Sequence, residues 1–192
     1  FYYTAITSLE IPGTIKTIPE SLAQYCVKLR NLTLNEGTTS ISSYAFNTTA
    51  ISSIVIPNSV TTIKNSVFEG CTLLKNVTLG SGLSKIETQV FYKLTGLQQI
   101  TIKATTPPTI ADYTNYPAFT ETVYANCNLF VPSGCIDAYK AATTWKNFTK
   151  ISTSGVTDIE TAEVAVSRSP YGITVIGCEG LTTEVYTLTG AL

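Results

Sequence analysis

The stretch Ile54-Val55-Ile56-Pro57-Asn58-Ser59-Val60-Thr61-Thr62-Ile63, continued by Val67-Phe68-Glu69-Gly70-Cys71 and closing on Leu74, decides the fold. Its opening is an apolar-x-x-apolar-x-apolar pattern, Ile51-Ile54-Ile56. The same pattern stands in register at Ile6-Leu9-Ile11, Leu29-Leu32-Leu34, Leu74-Val77-Leu79 and Leu97-Ile100-Ile102, with successive copies offset by 22 or 23 residues. An Ile follows seven residues after the last member of the first four triplets, at Ile18, Ile41, Ile63 and Ile86. Five residues further on comes Phe46, Phe68 or Phe91, and the first copy offers Leu22 instead. A looser sixth copy keeps Leu129 and Val131 but has Asn126 where an apolar residue should stand.

Such a period predicts a solenoid. The alternating part of each triplet, as in Leu32-Thr33-Leu34, is a short strand with two residues inward and one outward. One repeat cannot bury its apolar face alone, but stacked repeats share a continuous core. Equivalent strands should form a parallel sheet with a spacing of about 4.8 Å. The Pro57-Asn58-Ser59 and Gly80-Ser81-Gly82 segments are turns that send the chain to the opposite side. Thr49 and Cys71, each three residues after a Phe, mark a tight return. Cys26 and Cys71 hold equivalent phases two repeats apart, roughly 10 Å, which is beyond disulfide reach.

Composition narrows the function. The 192-residue chain is 44% hydrophobic and only 13% charged, with no His and no Met. No Ser-His-Asp or Cys-His arrangement and no His-ligated metal can be built. Twelve Lys and Arg against thirteen Asp and Glu make no basic field for nucleic acid or an anionic bilayer. No uncharged apolar run approaches the ~20 residues that cross a membrane. Five Cys, with no C-x-x-C, give neither a disulfide scaffold nor a zinc ribbon. Cys127 and Cys135 either close a small loop or stand as two buried thiols, the second being the commoner fate of Cys. The chain is read as a non-enzyme, with no catalytic, cofactor-binding or metal residues.

Weaker motifs add little. Gly80-Ser81-Gly82-Leu83-Ser84-Lys85 lacks the further residues of a phosphate loop. Sequons begin at Asn31, Asn47, Asn76 and Asn147; were the chain bacterial, its richness in Thr and Asn would make chance the better account, and in a protist they could carry glycans. Asp158, Glu160 and Glu163 read as scattered surface carboxylates rather than a calcium site.

The blocks quoted at the start resemble the BspA-like leucine-rich repeat of surface and secreted proteins of Bacteroides-type bacteria, spirochaetes and some protists. Ala104-Thr105-Thr106-Pro107-Pro108-Thr109-Ile110, then Leu129-Phe130-Val131-Pro132, Tyr139-Lys140 and Trp145, look like the last repeat and capping helix of the bacterial members. The resemblance implies a right-handed curved leucine-rich-repeat solenoid in a cell-surface or secreted setting. Some members are adhesins that bind host matrix proteins, so the adhesive role is an implication of the family alone.

The expected organisation is a solenoid over 1–151 that includes a capping helix at about 133–148, a linker at 152–157, and a partial β-domain at 158–192. In the capping segment Ser133 is the expected N-cap, with Ile136, Tyr139, Ala142, Trp145 and Phe148 on one side. In the tail, Val164–Val166, Ile173–Ile176 and Val185–Leu188 read as strands and resemble the opening of a C-terminal sorting domain. Phe1 stands in the Phe phase of a preceding repeat, which predicts further repeats upstream.

Two candidate binding surfaces emerge. The outward positions of the sheet form neutral hydroxyl and amide ladders: Asn31, Thr33, Val55, Asn76, Thr78, Gln99, Thr101 and Phe130. With no strong field, they suit a protein or glycan ligand recognised by hydrogen bonds and shape. The aromatics after the Pro107-Pro108 pair, Tyr113, Tyr116, Phe119 and Tyr124, either cover the open end of the core or offer a platform to sugar or peptide. The expected function is an adhesin-like binding module using the concave sheet face. The alternatives are a spacer that displays another domain, or an accessory region of a larger enzyme.

Overall fold

A computed structural model describes residues 1–111 and 115–154 of the chain, together with the strands at 165–169 and 172–176. Two compact units are distinguished, Phe1–Gly155 and Val156–Leu192.

The first unit is a stack of coils. Each contributes a face strand and a short back strand: β1 (Ser8–Ile11) and β2 (Thr17–Ile18), β3 (Asn31–Leu34) and β4 (Ser40–Ile41), β5 (Ser53–Val55) and β6 (Thr62–Ile63). The series continues with β7 (Asn76–Leu79) and β8 (Lys85–Ile86), then β9 (Gln99–Ile102) and β10 (Thr109–Ile110). Helix α1 (Glu121–Asn126), strand β11 (Asn128–Val131), helix α2 (Ile136–Ala141) and strand β12 (Lys150–Thr153) complete the unit. The back strands form one parallel sheet in the order β10-β8-β6-β4-β2.

A third side closes each coil through backbone bonds between neighbours, such as Tyr44 N to Asn65 O (3.0 Å), Phe46 N to Val67 O (3.2 Å) and Phe68 N to Val90 O (3.1 Å). These turns hold residues in the left-handed region four positions apart: Ser21 and Tyr25, Tyr44 and Thr48, Ser66 and Gly70, Gln89 and Lys93. Only one of the eight is a glycine, so the stack imposes on the others a conformation that costs a non-glycine residue about 1 kcal/mol.

The core is made of columns. Ile18, Ile41, Ile63 and Ile86 are fully buried behind the back sheet. Phe46, Phe68, Phe91 and Phe119 stack with centroid spacings of 6.0, 5.9 and 5.2 Å. In the first coil the Phe place is held by Ala23, not by the expected Leu22. The Ala23 N–H bonds Ala45 O as Phe46 N–H bonds Val67 O, and Leu22 is only partly buried against the core.

The fifth coil keeps both columns despite its insertion. Ile110 pairs with Ile86 in the back sheet, and Phe119 extends the aromatic stack. Of the insertion's aromatics, Phe119 and Tyr124 are buried and so serve the core, Tyr116 is exposed, and Tyr113 lies outside the described residues. The end of the stack is closed by Trp145, Phe148 and Tyr139. Trp145 Nε1 donates to Pro108 O (2.8 Å), and Tyr139 Oη donates to Ala104 O (2.8 Å).

The capping segment departs from the expected continuous helix. Helix α2 starts at Ile136 with Cys135 at its N-cap and no side-chain cap bond, and Ala142 is already extended (ψ 135°). Trp145–Asn147 is a separate 3₁₀ turn. Thr143 and Thr144 are β-branched and weak helix formers, and the break aims the Trp145 ring at Phe119. The chain then adds β12, parallel to β11, so Ser152 and Thr153 continue a strand where a linker was expected. In the second unit, Ala165–Ser169 pairs antiparallel with Gly172–Ile176; Val185–Leu188 and the acids Asp158, Glu160 and Glu163 lie outside the described residues.

The face sheet has a break. β5, β7, β9, β11 and β12 form one sheet, β1 and β3 another, and no ladder joins β3 to β5. Both ends of that ladder are disabled in the sequence. Leu29 to Ile51 is the one 22-residue interval in the series. The return turn of the longer coils, with Leu29 N bonded to Cys26 O and Leu74 N to Cys71 O (both 2.9 Å), is not formed by Thr49–Ile51. Pro57 then stands where Asn35 in the preceding coil donates to Ile11 O (3.0 Å), and proline has no N–H to give.

At the turns after β3, β5 and β7 a polar rung ties one coil to the next. The Glu36 carboxylate accepts from Asn58 N (2.8 Å), Asn58 Nδ2 (3.0 Å) and Ser59 N (3.0 Å), and Asn58 Oδ1 accepts from Ser81 N (3.1 Å). The Asn58 and Ser59 backbone N–H groups hold the Glu36 carboxyl below its ordinary value.

Two outcomes follow from this packing. Phe68→Ala should destabilise the first unit by about 4 kcal/mol in urea denaturation, because two stacked neighbours lose their partner. A depressed carboxyl stabilises the fold above its unfolded pKa and loses that contribution as pH falls through the folded value. The gap in urea midpoint between wild type and Glu36→Gln should therefore be full at neutral pH and close below about pH 4.

Candidate functional site

The register of the face sheet sorts the outward side chains into two rows. Asn76 pairs with Ser53 and Gln99, and Gln99 with Asn128. Thr78 pairs with Val55 and Thr101, and Thr101 with Phe130. Beyond the break, Ser8 pairs with Asn31 and Glu10 with Thr33, which supplies the same two rows from β1 and β3. Asn31, Thr33, Val55 and Asn76 are exposed, while Thr78, Gln99, Thr101 and Phe130 are partly buried. Eight of the candidate residues therefore share one surface. Tyr116 belongs to the connection between β10 and α1, away from that sheet, and Tyr113 lies outside the described residues.

The surface is close to neutral. Glu10 is tied up with Asn35 Nδ2 (2.8 Å), and Gln99 Nε2 donates to Thr101 Oγ1 (3.1 Å). Two ion pairs, Lys85–Glu87 and Lys93–Glu69, lie off the face strands, each with an exposed lysine and a partly buried glutamate; Glu69 holds the Lys93 ammonium above its ordinary value.

Of the two thiols expected to be buried, Cys127 is, whereas Cys135 is only partly so. Cys26, Cys71, Cys127 and Cys135 are all free. Burial pushes the Cys71 thiol up to about 11 and the Cys127 thiol up to about 12, so neither is a thiolate at neutral pH. Cys71 Sγ instead contacts Thr49 Oγ1 (3.2 Å) and Phe46 O (3.2 Å). Among the described residues no three His, Cys, Asp or Glu side chains are grouped to hold a metal ion. No helix among them is long and apolar enough to cross a membrane. Of the four sequon asparagines, Asn47 is buried and donates to Ser66 O (3.4 Å).

Two clefts open on the stack. One of about 190 Å³ lies in the sheet break, lined by Leu32, Thr33, Leu34, Ser53, Ile54 and Val55. Another of about 330 Å³ lies between the turn Ser81–Ser84 and the segment Ala104–Pro107. In a separate aromatic group Tyr2 and Tyr3 are exposed and Tyr25 is partly buried, with Tyr3 stacked on Tyr25 at 4.7 Å. The sequence reading missed that group, although Tyr3 and Tyr25 hold equivalent left-handed turn positions in successive coils. It also missed the cleft at the break, whose signals are the short interval and Pro57.

The family profile described as BspA type Leucine rich repeat region matches in six copies over residues 1–129. No curated protein matches the chain. The crystal structure of a leucine rich cell surface protein from Faecalibacterium prausnitzii A2-165 is similar at 16% identity with a TM-score of 0.40; the match covers 79% of this chain and 60% of that one. The crystal structure of the pneumococcal vaccine antigen PcpA is similar at 16% identity with a TM-score of 0.32, covering 79% and 69% of the two chains. This chain thus spans 60% of the length of the first of those structures. With parallel strands stacked at the repeat period and the profile matched over two thirds of its length, the chain belongs to the BspA type leucine-rich repeat family.

Proposed function

We propose that the chain is a non-catalytic binding module of a cell-surface or secreted protein, adhesin-like, that recognises a protein or glycan through its face sheet. The observation that carries this reading is the pair of aligned rows on β5 to β11, from Ser53 and Val55 to Asn128 and Phe130, with Asn31 and Thr33 of β3 outward beyond the break. Repeat stacking turns single outward positions into ladders, and such sheets are recurrent binding surfaces. Neutral hydroxyl and amide groups give short-range, directional attraction without steering, which suits a ligand that is itself poor in charge. The absence of His from the sequence and the two protonated thiols support a role without chemistry. The Val156–Leu192 unit is proposed as the sorting or anchoring portion.

A screen of the full chain against glycans and extracellular-matrix proteins tests this. Thr33→Lys/Thr78→Lys/Thr101→Lys places three cations on one row and should weaken the strongest hit at least tenfold, with an unchanged circular dichroism spectrum. A hit that survives the triple variant places recognition elsewhere. A screen that returns nothing favours the spacer.

A further inference from the structure

We infer that the corner where the chain enters the face strands is a second binding surface, for a linear polysaccharide in which acidic and neutral sugars alternate; it lies beside the rows of the face and rests on separate observations. The near-zero net charge conceals a sorting of charges. The segments that lead each coil into its face strand are residues 5–9, 27–32, 50–54, 72–77, 95–100, 125–130 and 148–152. They hold Lys28, Arg30, Lys75 and Lys150 and no Asp or Glu. All four cations are exposed. The ion pairs among the described residues, Lys85–Glu87 and Lys93–Glu69, lie on other sides of the coils, so Lys28, Arg30 and Lys75 meet no carboxylate there. Lys150 Nζ donates to a neutral group, Asn126 O (3.3 Å). An edge of one sign with no opposite charge beside it attracts an anion, within the reach that salt allows.

Backbone bonds fix which of these residues stand in line. Arg30 N donates to Thr7 O, Lys75 N to Ser52 O and Gln98 N to Lys75 O. Arg30, Ser52, Lys75 and Gln98 therefore hold equivalent places in four consecutive coils, each just before its face strand. Charged and neutral places alternate along that line. With coils stacked at about 4.8 Å, the two cations stand roughly 10 Å apart. Lys28 precedes Arg30 on the same coil, and Lys150, in register with Asn128, adds a cation two coils beyond Gln98.

The spacing of the cations selects the anion. Duplex DNA carries a charge every ~1.7 Å of its axis, and an extended acidic peptide sets same-face carboxylates about 6.6 Å apart. Either would leave much of its charge against Ser52 or Gln98, where nothing neutralises it. Two pyranose rings advance by about two coil steps, so a polymer with one uronate in every two sugars sets its carboxylates against Arg30 and Lys75 and a neutral sugar against Ser52. The Arg30 guanidinium suits a carboxylate through two N–H groups, and the Ser52 hydroxyl and Gln98 amide suit ring hydroxyls. Apolar contacts complete the match. Val27 and Leu73, 60% and 48% exposed, stand in the turns that lead into Arg30 and Lys75. The shorter coil between them has Ala50 in that place, buried. The two tips offer the carbon faces of sugar rings a contact that removes apolar surface from water.

The test titrates the full chain with a hyaluronan octasaccharide, which carries one carboxylate per disaccharide, and compares a neutral N-acetylglucosamine oligomer, polyglutamate and phosphatidylserine vesicles. The expected result is saturable binding of the octasaccharide that weakens as salt rises from about 0.05 M to about 0.5 M. Arg30→Gln/Lys75→Gln should weaken it at least tenfold with an unchanged circular dichroism spectrum. Lys64→Gln/Lys103→Gln removes the same charge from exposed positions off this corner and should change it less than twofold. The inference is overturned by no saturable binding, by equal binding of the neutral oligomer, by tighter binding of polyglutamate or of the vesicles, or by equal losses in the two double variants. The Thr33→Lys/Thr78→Lys/Thr101→Lys chain should bind the octasaccharide no more weakly than wild type. Its failure to bind would show that the corner is no surface of its own, whereas its loss of a neutral ligand alone bears only on the rows of the face.

Discussion

The apolar side chains of one coil can leave water only against the next coil, and everything else in the first unit answers to that constraint. A coil of 22 or 23 residues has no interior of its own. Burial is shared between equivalent positions, which is why Phe46, Phe68, Phe91 and Phe119 stand in one stack and why Ile18 to Ile86 stand in one column. The backbone pays for its own desolvation in the same way, through bonds between coils on the back sheet and the third side. Eight non-glycine residues among those described accept left-handed turns because the stack repeats the geometry that each turn requires.

The same constraint explains how the surface arises. Once the inward positions are fixed, outward residues fall into rows without further instruction. Low charge follows too: few places in a coil of this length are free of either core or turn duty, and Thr, Ser and Asn suit the exposed strand positions that remain. Glu36, Asn58 and Ser81 show that even the polar residues at the corners are spent on joining coils.

Much of this was legible in the sequence, because a period is a distance constraint written in residue numbers. The triplets, the Ile column and three of the four stacked Phe residues could be read directly, and so could the two rows of the face. What escaped has physical causes. Ile110 and Phe119 follow Ile102 by 8 and 17 residues, against 7 and 12 in the regular coils, so their phase was lost although their packing was kept. The break within the capping segment depends on Trp145 reaching the Pro108 carbonyl, a contact between residues far apart in sequence. Strand β12 was hidden because Lys150–Thr153 lies after the last recognisable repeat and offers the core a single apolar side chain, Ile151. The gap between β3 and β5 was written plainly, as one missing residue and one proline, but a missing bond leaves no hydrophobic signature. Tyr116 sits in a connection without a period, so no register could place it.

Hydrogen exchange on the intact chain tests the stacking account most directly. If coils are held by ladders on the back sheet and third side, with the face ladder broken once, slow exchange should run through Ile18, Ile41, Ile63 and Ile86 and through the inward-bonded amides of β7, β9 and β11, while the Leu32, Leu34, Ser53 and Val55 amides exchange fast. Protection at those four equal to that of β7 and β9, or rapid exchange along the back strands, would contradict it.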